Sequence, residues 1–391
     1  MNTTSFSRRD NNILAKWWWA VDRWSLWTLL MIIATGLMMS FAASPAVALR
    51  LKLDTFFFVK RHVVMMIPTI ALIVGLSLLN ARQIRRLSVL GYILSFGLIA
   101  LTLMHGVEIK GARRWVNILG NSIQPSEFMK PFFAVVSAWM MSEKAKNVQF
   151  PGIFISFFLL SLVVCVLMMQ PDLGMTVVLV ATWVTQLFLS GIPILWIMVT
   201  FLLGVLLLLF AYIFFPHVTK RIDQFIHPTA ADTKHELYQI TQSLEAFKSG
   251  GLFGRGPGEG VIKKHVPDAH ADFVFSVTGE EFGFIICCVI VGLFCFFIIR
   301  SIIRLLDQNH LFSVLAACGL VFQFGFQAFV NMGSTLNLIP TKGMTMPFIS
   351  YGGSSMIALG IGIGMILALT KKTFIPKDIQ TDLTHRITRL T

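Results

Sequence analysis

The side chains best suited to acid–base chemistry lie in one polar stretch, residues 265–283, which contains four carboxylates and runs into a long apolar segment. Asp272 is followed at once by Phe273, with Phe275 two positions further on. Because an acid held against apolar surface has its pKa raised by desolvation, Asp272 is the candidate general base. The two glutamates before the apolar segment have a structural alternative, since the dipole of a helix favours acids at its N-terminus. We expect a supporting role in this loop for Asp268, His270, Glu280 and Glu281.

Two adjacent arginines, Arg113 and Arg114, stand in the segment Gly-Ala-Arg-Arg-Trp at 111–115. The planar guanidinium group binds phosphate in a bidentate manner, so these side chains are candidate ligands for a phosphorylated substrate. Contact with lipid headgroups is the alternative. Further along, Glu127 and Lys130 are three positions apart and therefore on one face of a helix. There they either contact a substrate or neutralise each other.

A third polar segment, residues 340–355, is rich in glycine, proline and hydroxyl side chains and leads into an apolar run. Irregular backbone at membrane depth is tolerated only where it lines a cavity or is buried in protein. We therefore expect this segment to form one wall of a site. Its candidate substrate-binding residues are Lys342, Ser350, Gly352 and Gly353.

Residues 250–260 are rich in glycine, which invites comparison with a phosphate-binding loop. No Gly-Lys-Ser/Thr follows at the required spacing and no strand is predicted before it, so the nucleotide-binding patterns fail. Two interpretations remain for Gly254 and Gly256. A flexible, re-entrant backbone at the membrane surface is favoured over a cradle of backbone N–H groups that would bind phosphate.

The other polar and sulfur-bearing residues have structural explanations. Asp172, in the turn Gln-Pro-Asp-Leu-Gly at 170–174, is typical of a helix N-cap. The five cysteines all lie inside apolar runs and lack the spacing of metal ligands. The sequence therefore predicts no cysteine metal site and no redox role.

The rest of the chain must position these segments. Of its 391 residues, 55% are apolar and 13% are charged, whereas a soluble globular domain is about 45–50% apolar and about 25% charged. This composition excludes a water-soluble domain and predicts an all-α integral membrane protein, a bundle of about ten transmembrane helices with one large extracytoplasmic loop. The predicted spans are residues 24–43, 62–79, 87–104, 127–142, 152–169, 173–190, 193–215, 278–299, 311–332 and 349–370.

The net charge of +13 indicates anionic partners, and the distribution of basic residues predicts the orientation. When the long loop at 216–277 is set aside, basic residues of the short segments are concentrated on the side that holds the N-terminus. By the positive-inside rule, both termini are then cytoplasmic and the long loop is extracytoplasmic. We accordingly expect a cytoplasmic N-terminal segment at 1–23, a membrane domain at 24–370 and a cytoplasmic tail at 371–391.

Together the polar segments resemble the SEDS family of polytopic membrane proteins (shape, elongation, division and sporulation), and the resemblance covers nearly the whole chain. It rests on the motifs GARRW, QPSEF, QPDLG, SGGLFGRGPGEG, PDAHADFVFSVTGEEFG and ISYGGSS, which occur in the order of the family. The run Pro-Thr-Lys-Gly at 340–343, which contains Lys342, resembles the pattern of the division-type (FtsW) branch of the family. One departure is Ala271, where the family commonly has threonine.

The resemblance implies a peptidoglycan glycosyltransferase that polymerises lipid II, the undecaprenyl-diphosphate-linked disaccharide-pentapeptide, during septal cell-wall synthesis. Asp272 matches the loop aspartate of the family and would be the general base. The diphosphate would be bound by Arg113, Arg114 and Lys342, with Lys130 as a further candidate. No cofactor is fixed by the resemblance; a divalent cation, Mg²⁺ or Mn²⁺, is compatible with this chemistry, but no metal ligands can be assigned.

The resemblance also implies partners and a location. The expected partners are membrane lipids, a class B penicillin-binding protein transpeptidase of the FtsI type and other divisome proteins, with no nucleic acid. The expected location is the division septum of the bacterial cytoplasmic (inner) membrane. Two alternatives stay open: a flippase that transports lipid II, which would need binding groups on both membrane faces, and a scaffold that only recruits a division partner, which would not need Asp272.

Overall fold

The computed structural model describes residues 12–109, 112–118, 121–214, 218–219, 222–223, 236–340 and 343–371. Most of these residues are helical. The helices are α1 (Ile13–Ala20), α2 (Arg23–Arg50), α3 (Phe57–Ser77), α4 (Ala81–His105), α5 (Pro125–Lys146), α6 (Gly152–Met169), α7 (Leu173–Leu189), α8 (Ile194–Phe214), α9 (Glu236–Gly250), α10 (Val274–Leu306), α11 (Leu311–Thr335) and α12 (Gly353–Leu369).

Each of the ten predicted spans falls on one of these helices, α2 to α8 and α10 to α12. Six helices of the described chain, namely α2, α3, α4, α6, α10 and α11, are long and apolar enough to cross a membrane by length and composition. Two more, α7 and α12, are apolar but shorter. The prediction of an all-α membrane protein with about ten helices is confirmed. The predicted division into N-terminal segment, membrane domain and tail stays a prediction, because residues 1–11 and 372–391 lie outside the described chain.

The connection between α4 and α5 contains strands that the sequence analysis did not anticipate. Strands β1 (Val107–Ile109), β2 (Ala112–Ile118) and β3 (Asn121–Ile123) form an antiparallel sheet in the order β1-β2-β3. All three strands carry β-branched residues and β2 also carries Trp115, and such residues fit the pleated surface of a strand. Since successive side chains of a strand point to opposite faces, this sheet sends Arg113 and Arg114 in opposite directions.

Helix α12 packs along α3, and small residues allow the two backbones to approach closely. A Cβ atom placed on Gly360 would lie 2.8 Å from Cγ2 of Thr69, and one on Gly364 would lie 3.1 Å from the carbonyl oxygen of Ile73. Small residues four positions apart are typical of close helix contacts within membranes. The polar segment that precedes α12 is thereby fixed against the N-terminal part of α3.

The glycine-rich segment at 250–260 is docked against α10. The backbone N–H of Arg255 donates to the carbonyl of Glu280 over 2.9 Å, and the N–H of Gly256 donates to the carbonyl of Glu281 over 3.0 Å. Helix α10 is kinked at Gly283, where φ is +79° and the backbone lies against Gly254. The stretch that was expected to be flexible is thus held by backbone hydrogen bonds.

Candidate active site

A cavity of about 480 Å³ lies where the loop before α10, the sheet, the N-terminal part of α3 and the segment before α12 meet. Three of the predicted polar segments contribute to it. The residues from the predicted set that line it are Glu127, Asp268, His270, Asp272, Gly352 and Gly353. The lining also includes Arg61, Met65, Trp115, Ser122, Ile123, Gln124, Phe128, Ala271, Gly343, Thr345, Tyr351, Ser354, Ser355 and Ile357.

Asp272 is held at the cavity wall through its backbone. Its N–H donates to the carbonyl of Asp268 over 3.0 Å, and its own carbonyl accepts from Nδ2 of Asn331 over 2.9 Å. The same amide nitrogen of Asn331 donates to the carbonyl of Met344 over 2.6 Å. Gly343 lies opposite with φ of +60°, and a Cβ atom there would be 3.2 Å from Oδ2 of Asp272. One amide side chain thus links the loop of the candidate base to the segment before α12.

The neighbours of Asp272 in the sequence support the wall of the cavity, and whether they raise the pKa of Asp272 stays a prediction. Phe273 and Phe275 are both buried. The ring of His270 packs against that of Phe58 with centroids 4.2 Å apart and planes tilted by 37°, and the carbonyl of His270 accepts from the N–H of Tyr351 over 2.9 Å. Burial lowers the pKa of His270 to about 4, so the ring is neutral at physiological pH. His270 therefore fixes the loop in place and supplies no positive charge.

Glu127 and Lys130 neutralise each other, which was one of the two interpretations of this pair; the other was contact with a substrate. The Nζ atom of Lys130 lies 2.8 Å from Oε2 of Glu127, and both side chains are buried. Nζ also donates to Oε1 of Gln327 over 2.6 Å. The amide nitrogen of Gln327 continues the network to the carbonyl of Thr345 over 3.0 Å. Glu127 lines the cavity, whereas Lys130 lies outside its lining. The role of Lys130 as a diphosphate ligand stays a prediction, and this geometry does not favour it.

Arg113 and Arg114 are both engaged away from the cavity lining. Arg113 is exposed and its Nε atom lies 3.3 Å from Oε2 of Glu108. Nε of Arg114 donates to the carbonyl of Gln170 over 3.1 Å, and NH1 lies 3.9 Å from Oδ1 of Asp172. Arg114 therefore fastens the sheet to the turn between α6 and α7. Whether either arginine contacts a substrate stays a prediction.

The N-cap interpretation of Asp172 is confirmed, because its Oδ1 atom accepts from the N–H of Met175 at the start of α7 over 3.4 Å. A second bond reaches Oδ2 of Asp172 from Nε2 of Gln124, over 3.4 Å. The acid thus joins α7 to the residue that precedes α5.

Glu280 and Glu281 occupy the backbone donors of the glycine-rich segment and the turn after it. The carboxylate of Glu280 accepts from the N–H groups of Val261, Ile262 and Lys263 at 2.7, 2.7 and 2.8 Å. Glu281 accepts from the N–H of Gly258 over 2.9 Å, and its other oxygen pairs with Nζ of Lys263. The backbone donors that would form a phosphate cradle are thus already bound, those of Gly254 and Gly256 to carbonyl oxygens and that of Gly258 to a carboxylate. Gly254 and Gly256 accordingly lie away from the cavity and shape this docked segment.

The wall before α12 combines a fixed turn with an open helix terminus. Oγ of Ser350 accepts from the N–H of Met346 over 2.9 Å, so this hydroxyl is buried and holds the turn. Gly352 and Gly353, at the first turn of α12, line the cavity. The N-terminus of a helix carries partial positive charge and unpaired N–H groups, which suit an anion. Lys342 lies outside the described residues.

Sequence reasoning missed Arg61, a cationic side chain in the cavity lining. Arg61 precedes an apolar run and was counted only as one of the basic residues of the short outer segments. Its guanidinium carbon lies 5.7 Å from the centroid of the Phe57 ring. A signal was present in the sequence, because Arg61 and His62 are two polar residues at the outer start of an apolar helix, without an acid directly beside them.

The polar face of α11 was also missed. Gln323, Gln327 and Asn331 follow each other at intervals of four, which places all three on one face of the helix. Nε2 of Gln323 donates to the carbonyl of Lys130 over 2.9 Å, and the other two amides reach the segment before α12. Amides at helical spacing inside an apolar run need partners at membrane depth, and that spacing was the available signal.

A metal centre is not supported by the described residues. No group of three or more His, Cys, Asp or Glu side chains converges within that part of the chain. Whether a divalent cation takes part in the reaction stays a prediction. We assign no step of the reaction to such an ion.

Comparison with known proteins places this geometry in a family. The sequence model of the FtsW/RodA/SpoVE cell cycle proteins matches residues 23–374. A probable peptidoglycan glycosyltransferase FtsW from Caulobacter vibrioides is 42% identical over 371 residues, which cover 95% of this chain and 94% of that protein. Its counterpart from Escherichia coli O157:H7 is 34% identical over 364 residues, with 91% and 87% covered.

Solved structures share the fold. A chain from a peptidoglycan synthase complex, described for its structural coordination of polymerization and crosslinking, superposes with a TM-score of 0.75 at 27% identity, covering 90% of this chain and 98% of that one. The rod shape determining protein RodA of Thermus thermophilus superposes with a TM-score of 0.64 at 27% identity, with 90% and 97% covered. The family model, the relatives and the fold agree with the resemblance drawn from the motifs, and the chain belongs to the FtsW/RodA/SpoVE family of cell cycle proteins.

Proposed function

We propose that this chain is a peptidoglycan glycosyltransferase that polymerises lipid II into glycan strands on the outer face of the cytoplasmic membrane, during septal cell-wall synthesis. One observation carries the proposal: the cavity brings the carboxylate of Asp272 together with Arg61 and the N-terminus of α12. A base, a cation and a helix terminus are the groups that sugar transfer from a lipid diphosphate requires. The curated relatives named as probable peptidoglycan glycosyltransferases support the same reaction.

In the proposed reaction, a sugar hydroxyl attacks the anomeric carbon of the donor. Asp272 removes the proton from the 4-hydroxyl of the acceptor GlcNAc unit, and that oxygen forms a bond to C1 of the donor sugar with inversion. The bond from C1 to the diphosphate oxygen breaks, and undecaprenyl diphosphate leaves with the electron pair. Because this leaving group is already acidic, one carboxylate suffices, unlike the pair that glycosidases use.

The leaving diphosphate needs stabilisation as its charge grows, and electrostatic groups fixed in advance provide it most efficiently. Arg61 and the first N–H groups of α12 are the proposed donors, since both belong to the cavity lining. Lys342 is proposed as a further cation because the sequence places it next to Gly343, which faces Asp272. Arg113, Arg114 and Lys130 lie outside the cavity lining and are ranked behind Arg61, which belongs to it.

Transport of lipid II is not favoured by the packing. Towards the other membrane face, the gap between α5, α11 and α12 measures about 20 Å³. A site of that size holds about one water molecule. A path for a disaccharide-pentapeptide headgroup would require these helices to separate, and no feature of the described residues indicates such a path.

A class B penicillin-binding protein transpeptidase of the FtsI type is the proposed partner, within a wider set of divisome proteins. The likeness to a chain from a complex that coordinates polymerization and crosslinking supports this assignment. The location proposed is the division septum of the inner membrane, with both termini in the cytoplasm. The many apolar helices and the family membership support a multi-pass membrane protein.

The proposal is tested by glycan-chain formation from purified lipid II with Asp272→Asn. The amide has nearly the same size but cannot accept the proton, so we expect polymer output to fall by at least about a hundredfold, in line with the typical contribution of a general base. Asp54→Asn is the matched control, because Asp54 is an exposed carboxylate paired with Lys60 and lies outside the cavity lining. Full polymer output from Asp272→Asn would remove the base from the mechanism and would favour the scaffold alternative.

A further inference from the structure

A second cavity, distinct from the candidate active site, lies at the opposite end of α4. It has a volume of about 580 Å³ and is lined by Arg82, Arg85, Arg86, Val89, Leu90 and Trp139. We call it the arginine groove. Helix α4 is 25 residues long, so its two ends are about 37 Å apart, and the sheet beside the active-site cavity follows its far end. The arginine groove therefore cannot belong to that cavity.

The charge of the arginine groove is only partly compensated. Arg85 lies 3.5 Å from Oε1 of Glu143, which also pairs with Lys146 at 2.9 Å. Within the described part of the chain, neither Arg82 nor Arg86 makes a hydrogen bond or an ion pair. Both are exposed and four positions apart, which places them on one face of α4. Among the residues that the structure describes, these two guanidinium groups of the groove therefore have no anionic partner.

Arg85 is held in a fixed orientation between two aromatic rings. Its guanidinium carbon lies 5.6 Å from the ring centroid of Trp139 and 5.2 Å from that of Phe312. The indole N–H of Trp139 donates to Glu143 over 3.2 Å, which fixes the ring in turn. A guanidinium held in this way loses little freedom when it binds an anion, and its geometry suits phosphate oxygens.

The groove continues into an apolar surface, which distinguishes a lipid from a soluble anion. Leu90 follows Arg86 by one helical turn, and Ile93 and Leu94 follow Leu90 on the same side of α4. These three side chains are 61%, 60% and 67% exposed. A ligand with a phosphate at one end and a hydrocarbon chain at the other matches both parts of this surface.

We infer that the arginine groove binds the phosphate headgroup of an anionic phospholipid from the membrane leaflet on that side, with an acyl chain along Leu90, Ile93 and Leu94. Basic pockets between transmembrane helices on the cytoplasmic side are suited to such headgroups. The orientation proposed from the basic residues places the groove in the inner leaflet. A phospholipid fits best as the ligand because the polar part of the groove is confined to one end and the apolar part is open to the bilayer.

Native mass spectrometry of the purified full-length protein in detergent, titrated with phosphatidylglycerol or phosphatidylcholine, tests the inference. We expect tighter binding of phosphatidylglycerol, and we expect Arg82→Gln/Arg86→Gln to lose that preference, with binding weakened about tenfold or more. The matched control is Lys16→Gln/Lys144→Gln, which removes the same charge from the same membrane side but outside the groove lining. The control is expected to bind like the unaltered protein.

Further titrations distinguish a phospholipid from other phosphate-containing ligands of the groove. Inorganic phosphate at millimolar concentration is expected not to displace phosphatidylglycerol, because it cannot occupy the apolar part of the groove. Unchanged preference in the Arg82→Gln/Arg86→Gln variant, or equal affinity for the two phospholipids, would overturn the inference. Displacement by inorganic phosphate alone would do the same. Much tighter binding of a polyprenyl diphosphate would reassign the groove to the lipid-linked substrate. Glycan polymerisation by the double variant shows separately whether the protein is folded and active.

Discussion

At the scale of single residues, the candidate site depends on which cation faces the substrate. Composition and motifs drew attention to Arg113 and Arg114, whose side chains hold the sheet and the turn after α6. Arg61 belongs to the cavity lining together with Asp272. The difference arises because a motif shows which residues are unusual, whereas only the fold shows which side chains converge.

Replacing Arg61 with Gln is expected to lower kcat/KM for glycan polymerisation by roughly 10- to 100-fold, because hydrogen bonds to a charged group contribute about 1.5–3 kcal/mol. The measurement is polymerisation from purified lipid II at several substrate concentrations. Arg113→Gln is the control, since Arg113 is exposed and lies outside the lining. Its kcat/KM is expected to change by less than about threefold, in keeping with a surface ion pair. If Arg113→Gln is the more damaging change, the diphosphate lies nearer to the sheet.

A pH-dependent contribution to stability is expected from His270. Burial lowers its pKa to about 4 from an ordinary value of 6.5. Below pH 6.5 the His270 side chain becomes protonated in the unfolded chain but stays neutral in the folded protein. The contribution of His270 to the free energy of unfolding is therefore complete above pH 6.5 and is lost as the pH falls towards 4. Melting temperatures in detergent between pH 4 and pH 8 measure it. His270→Phe, which keeps an aromatic ring against Phe58, should melt with a flatter dependence in that window. Parallel curves for the two proteins would contradict a neutral, buried His270.

At the scale of elements, apolar runs of sufficient length predicted all ten spans, because burial in a membrane imposes length and composition together. The sheet between α4 and α5 was not predicted, since its strands are short and its arginines obscure the alternation. The amides of α11 were not predicted either, because the apolar majority of that helix conceals Gln327 and Asn331. These elements are specified by contacts between segments distant in sequence, such as the bond from Asn331 to Asp272.

The kink in α10 gives a prediction at this scale. Gly283 has φ of +79°, and a Cβ atom there would lie 2.4 Å from the backbone nitrogen of Gly254. Gly283→Ala is therefore expected to destabilise the protein by about 1–3 kcal/mol, as strained backbone does, and to release the glycine-rich segment. Gly292→Ala is the control on the same helix, since a Cβ there meets no atom within 4 Å. Thermal unfolding compares the two, and equal melting temperatures would show that the kink is not required.

At the scale of the whole molecule, the polar groups at the two ends of the bundle are separated by a packed interior. One end contains the cavity with Asp272. In the interior the rings of Phe294 and Phe297 pack against Phe324, with centroids 5.3 and 5.1 Å apart. The opposite end holds the arginine groove and a set of ion pairs. There, Asp22 at the start of α2 pairs with Arg300 and Arg304 of α10. Burial opposes ionisation of Asp22, but the two guanidinium groups hold its pKa well below the usual range. The two ends thus carry different polar sites with a packed interior between them, which fits chemistry at one membrane face.

The orientation of this asymmetry can be measured. In a variant without the five native cysteines, Leu252→Cys should react with a membrane-impermeant maleimide applied to intact spheroplasts, because Leu252 is exposed in the segment docked beside the cavity end of α10. Lys16→Cys, exposed on α1 at the opposite end, should react only after the membrane is opened. The expectation follows from the positive-inside rule, which places the short basic segments in the cytoplasm. The reverse labelling pattern would put Asp272 in the cytoplasm, where glycan strands are not assembled, and would overturn the proposed reaction. It would also overturn the assignment of the arginine groove to the inner leaflet.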